Sequence, residues 1–112
     1  MTKKEVTVRE YIEAIRKNGW PQIQGQFFET DAEGNIVTAC AYTQAMMNLG
    51  VMEPKIERGK TFEKDTSWEL SGVYSDTISF SDYRGLNLEE IATALEEQYQ
   101  THLDETLFSY DV

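Results

Sequence analysis

The chain has one cysteine, Cys40, and one histidine, His102. A lone cysteine excludes an internal disulfide, and one Cys with one His is too few for a Cys/His structural zinc site. No metal site is expected, and a reducing, cytoplasmic setting is. Apolar runs are short: none approaches the roughly 20 residues that a membrane-crossing helix needs. The opening Met1-Thr2-Lys3-Lys4-Glu5 has no apolar stretch or small-residue cleavage site behind it, so neither export nor a membrane anchor is expected. The glycine-rich phosphate loop, the dinucleotide-binding glycine pattern and the Gly-x-Ser-x-Gly elbow are all missing. No cofactor is expected.

Positive charge is scarce in one half only. Residues 1 to 60 hold eight basic and eight acidic side chains, whereas residues 61 to 112 hold Lys64 and Arg84 against twelve carboxylates. The net charge of -10 therefore arises in the second half, which repels a phosphate backbone and attracts a basic surface. Direct nucleic-acid binding is disfavoured. The carboxylates placed to meet a basic partner are Glu89, Glu90, Glu96, Glu97, Asp104 and Glu105.

What is present suffices for one core. With 112 residues, 40% hydrophobic and 12% aromatic, the chain carries too many large apolar side chains to be disordered as a whole. One domain over 1–112 is expected, with 1–6 and 109–112 frayed. Val8, Tyr11, Ile12 and Ile15 share one helical face, started by a Thr7/Glu10 capping box and stopped at Asn18-Gly19 before Pro21. Trp20 should fold back onto Ile15. Segments 25–30 and 35–38 flank the turn formers Asp31-Ala32-Glu33-Gly34 and predict a β-hairpin, an acidic turn rather than a calcium loop. A second helix is expected from about Ala39 to Leu49, capped by Thr38, closed by Gly50 and buried on most sides.

Residues 53–75, with Pro54, Gly59 and Gly72 as breakers, are the hardest to assign. A loop of that length in a small domain is either functional or contains structure of its own. Alternation supports a strand at 66–70 and another at 77–81, paired around 71–76. Asn87 and Glu90 start the last helix, whose buried stripe Leu88, Ile91, Ala92, Leu95 and Tyr99 extends through His102, Leu103, Thr106, Leu107 and Tyr110 if the helix continues. The fold class is α+β: a small, mostly helical domain with three main helices, a hairpin and a small antiparallel sheet.

The carriers Gly19-Trp20, Cys40-Ala41, Leu49-Gly50, Ser81-Asp82 and Leu88-Glu89-Glu90-Ile91 give the chain a layout that resembles a family of small uncharacterised proteins of bacteriophages and actinobacteria. It differs from that family's pattern at Thr43 and Ser81, where a small residue and an Asn are expected. The resemblance implies a phage or bacterial setting, and host cytoplasm if phage-encoded. It implies no activity.

Three functions are carried forward. The leading one is a non-enzymatic interaction protein whose acidic second half docks on a basic protein surface, with inhibition of a host factor as its specific form. The second is a small-molecule or nucleotide-binding protein with Trp20, Tyr42, Trp68, Asp82 and Arg84 around the ligand, aromatic faces stacking on a base and Arg84 holding an anion. The third is an enzyme using Cys40, which needs a base that His102 is not placed to supply. A homodimer through Leu103, Leu107, Phe108 and Tyr110 is expected if those residues do not fold back.

Overall fold

The computed structural model describes residues 2–17, 19–58 and 60–112. In chain order the elements are β1 (Lys3–Thr7), α1 (Val8–Arg16), β2 (Phe28–Thr30), β3 (Ile36–Ala39), α2 (Ala41–Asn48), β4 (Met52–Glu57), β5 (Lys60–Glu63), β6 (Thr66–Trp68), α3 (Ser71–Ile78), a π-helical turn (Ser79–Tyr83), α4 (Leu88–Gln98) and β7 (Thr106–Asp111). The class is α+β. Among the described residues the strands form three antiparallel groups: β1-β7-β6, β2-β3 and β4-β5.

The helices start where their end chemistry says they should. Thr7 accepts from the Glu10 amide at 3.1 Å and Glu10 accepts from the Thr7 amide at 3.0 Å, closing the capping box on α1. Asn87 and Glu90 do the same for α4 at 2.8 and 3.0 Å. Gly50, at φ +77°, ends α2 in a full Schellman motif: the Val51 amide donates to Met46 and the Gly50 amide to Met47. The stop of α1 falls where expected, with Lys17 at the C-cap before Asn18-Gly19; Asn18 lies outside the described residues. The Trp20 backbone is bonded to the Gln44 side chain, described below, and Trp20 packs against the core. The cap of α2 differs from expectation, because Thr38 belongs to β3 and donates to Glu29, leaving Cys40 at the N-cap with no capping bond from its side chain to the helix backbone.

Two further expectations are corrected. The last helix ends at Gln98; the chain turns through His102, and 106–111 becomes the central strand of β1-β7-β6. Leu103, Leu107 and Tyr110 fit a helical spacing, but Thr106-Leu107-Phe108-Ser109-Tyr110 is equally a β-branched and aromatic strand, and two waiting partners decide it. Phe108 lies opposite both Val6 and Trp68. Residues 3–6 and 109–111, expected to fray, are thus paired, and Leu107, Phe108 and Tyr110 are buried by their own chain rather than awaiting a second one. Second, 77–81 is no strand. It closes α3 and enters the π-helical turn, because Val73, Thr77 and Phe80 bury at helical spacing, and β6 takes β7 as its partner. The unassigned 53–75 holds β4, β5, β6 and most of α3; Gly59 lies outside the described residues.

The core collects α1, α2 and α4 against β7. Its buried polar side chains Tyr11, Gln44 and Thr77 are paired within it, whereas the buried Ser81 hydroxyl has no partner among the described residues. The Tyr11 hydroxyl donates to Thr77 at 3.0 Å, and Thr77 donates to the Val73 carbonyl at 2.7 Å, tying α3 to α1. Fully buried Gln44 donates to the carbonyls of Trp20 (2.8 Å) and Ala39 (3.0 Å) and accepts from the Trp20 amide (3.3 Å). Such a side chain closes a loop onto a helix because a buried backbone group left bare costs about 1–3 kcal/mol. Gly34 brings the two hairpins together. Its φ is +87°, its carbonyl accepts from Ile56 at 2.7 Å, and a Cβ there would sit 2.2 Å from the Ile56 carbonyl oxygen.

Candidate functional site

The carboxylates expected to face a partner divide into two groups. On α4, Glu89 and Glu96 turn toward α1 and meet Arg16. Its Nε lies 3.2 Å from Glu89, and its Nη1 lies 2.9 Å from Glu96 and 3.0 Å from Glu13. The guanidinium hydrogen-bonded to Glu96 holds that carboxyl below its ordinary range, and the three carboxylates together keep Arg16 firmly protonated. Glu90 is occupied in its capping box. Glu97 is exposed and forms no ion pair among the described residues. Sequence alone places these glutamates on the wet side; what it leaves out is that α1 packs along α4 and brings Arg16 with it.

The second group lies at the sheet end. Glu5 of β1, Glu69 after β6, and Asp104 and Glu105 in the loop before β7 line one open groove of about 610 Å³ with Leu70 and Thr106. The fold assembles them from three distant stretches because β7 runs between β1 and β6. Asp104 pairs with Arg9 at 3.2 Å, and Glu105 meets the His102 ring. The Arg9–Asp104 pair is largely exposed, where an ion pair contributes only about 0.2–1 kcal/mol and screens readily. Glu5 and Glu69 form no ion pair among the described residues. The groove therefore keeps a negative excess that the α1–α4 seam has lost.

The five residues expected around a ligand do not converge. Tyr42 and Trp68 do meet, with ring centroids 6.3 Å apart. Trp20 is bonded to Gln44, two positions from Tyr42 and so nearly opposite it around α2. Asp82 accepts from the Gly25 amide at 2.9 Å, and Arg84 lies over the Phe80 ring at 5.3 Å. Other neighbours of Tyr42 are Tyr74, Phe27 and Glu63. Tyr74 stands edge-on to it at 4.8 Å, Phe27 lies 6.2 Å away, and the Tyr42 hydroxyl donates to Glu63 at 3.1 Å. A usable signal existed in Phe27-Phe28, because two adjacent aromatics at a strand start cannot both face the core.

Cys40 is 2% exposed, its sulfur 3.4 Å from the Thr43 hydroxyl, and burial pushes its thiol up, away from the reactive thiolate. Its hydrogen-bond partner is Thr43, and that of His102 is Glu105. Among the described residues, no three His, Cys, Asp or Glu side chains are grouped to hold a metal ion, and no helix is long and apolar enough to cross a membrane. Comparison with protein-family models, with characterised proteins and with solved structures returned no match.

Proposed function

We propose that this chain is a non-enzymatic interaction protein that docks its acidic second half on a basic surface of another protein. The observation that carries the reading is the groove of Glu5, Glu69, Asp104 and Glu105, four carboxylates served by one arginine and one histidine. Such a surface draws in a cationic partner over about a Debye length and holds it by contacts that salt weakens. The same field repels phosphate, so a nucleic acid is not the ligand, though a nucleic-acid-binding protein presents the right chemistry to it. Inhibition of a host factor inside the cytoplasm, in a phage setting, is the specific form of this role. Glu89, Glu90 and Glu96 support the fold rather than the contact, and Glu97 adds to the negative field from α4.

Affinity capture from a bacterial lysate, run at about 0.01 M and about 0.15 M salt, tests this. A basic protein retained at the lower ionic strength and shed at the higher one is the expected result. Capture that is indifferent to salt sinks the electrostatic reading.

A further inference from the structure

The cleft beside Tyr42 carries a chemistry of its own. It encloses about 310 Å³, within the range of small-ligand sites, and Phe27, Phe28, Tyr42, Tyr74, Met52 and Glu63 line it. The rings stand across one another rather than stacking: Tyr74 is inclined 87° to Tyr42, and Phe27 63° to it. Rings so arranged wall a space from different directions, and each ring face carries a partial negative charge. Glu63 adds a full one. Among the described residues no Lys, Arg or His lines the cleft and Glu63 forms no ion pair. Lys64, next in sequence, lies over the Tyr110 ring at 5.6 Å.

These walls select a ligand by exclusion. An anion would face Glu63 with no cation to balance it. A neutral apolar group would cover Glu63 and cost hydration with nothing in return. A primary ammonium has three N–H donors and a strong hydration shell, while the site supplies few acceptors beyond one carboxylate and the hydroxyls. A quaternary ammonium has no donors to satisfy, and its methyl groups meet ring faces directly. We infer that the cleft is a binding site for a methylated ammonium group, held against the rings of Phe27, Tyr42 and Tyr74 and balanced by Glu63. Such a group reaches it either on a free quaternary amine or on a trimethylated lysine side chain.

The site is distinct from the acidic groove, so its test stands apart from that of the docking role. Choline and a trimethyllysine peptide would be titrated into the full chain, against 3,3-dimethylbutan-1-ol and the unmethylated lysine peptide. Ring signals of Tyr42 and Tyr74 in NMR spectra give the readout. We expect at least one methylated cation to shift them, with its uncharged or unmethylated counterpart binding about tenfold more weakly or worse. Tighter binding by choline identifies a free amine as the source, and tighter binding by the peptide a protein side chain. Phe27→Ala and Glu63→Gln, at positions exposed enough to spare the fold, should each weaken binding about tenfold. Equal binding of the neutral alcohol and choline, no response to either methylated cation, or full affinity in both variants would overturn the assignment.

Discussion

The two acidic regions of this molecule have the same side chains and opposite fates. Along the α1–α4 seam, Glu13, Glu89 and Glu96 converge on the partly buried guanidinium of Arg16, which also donates to Thr93 at 3.4 Å. At the sheet end, Glu5, Glu69, Asp104 and Glu105 line an open groove, where Asp104 meets the exposed Arg9 and Glu105 meets His102. A charge count treats both regions alike. What separates them is whether a neighbouring element delivers a cation at a distance where its planar donors can reach two or three carboxylates together. Charge that is spent holding helices together is not available to a partner, so excess charge in a sequence sets only an upper bound on a docking field.

Removing Arg16 should break the contrast most strongly. Arg16→Ala leaves three carboxylates close together with no counter-charge and strips the alkyl stem from the α1–α4 contact. We expect a loss of about 1–2 kcal/mol in unfolding free energy, above the usual yield of one exposed pair because a single side chain serves three partners. Urea unfolding measures it. An unchanged midpoint would mean that the seam is held by Ile12, Ile15, Ile91 and Leu95 alone. The opposite experiment belongs to the groove. Glu5→Gln with Glu69→Gln should leave stability within about 0.5 kcal/mol, since neither side chain has an ionic partner to lose. It should weaken capture of a basic partner several-fold at low salt, and loss of stability without loss of capture would place the docking surface elsewhere.

The same distinction between near and distant partners governs what can be read from the sequence. Capping boxes at Thr7/Glu10 and Asn87/Glu90, and the closure at Gly50, are local chemistry, and each stands where the residues put it. The hairpin β2-β3 is equally local, with Asp31 accepting from the amides of Glu33 and Asn35 to form its turn. By contrast, β7 is a strand because β1 and β6 flank it, and Lys3 stands opposite Asp111 from the far end of the chain. Its apolar spacing fits a helix as well. The site follows the same rule. Tyr42 and Trp68 are visible as candidates, but the aromatic walls and the carboxylate around Tyr42 come from Phe27, Glu63 and Tyr74, each far from it in sequence. The internal use of Glu89 and Glu96 is hidden for the same reason, since nothing near them in sequence names Arg16.

Acid titration sharpens the comparison with a smaller effect. The Glu96 carboxyl is lowered from 4.5 by its bond to Arg16, and the Asp31 carboxyl is lowered from 3.8 by hydrogen bonds from Asn35. A carboxyl whose folded value lies below its unfolded one stabilises the fold fully above the unfolded value, and that contribution fades as pH falls through the folded one. Both contributions should therefore be present at neutrality, the Glu96 share falling away below about pH 4.5 and the Asp31 share below about pH 3.8. They can be separated, because each depends on a different partner. Arg16→Ala removes the Glu96 share and leaves that of Asp31. Asp31→Asn keeps an oxygen acceptor in the turn while removing its titration, so the Glu96 share remains. Urea midpoints taken between about pH 3 and pH 7 should show a shallower acid decline in each variant than in the parent, and the shallowest in the double variant. If the double variant declines as steeply as the parent, the acid sensitivity comes from carboxylates outside both the seam and the turn.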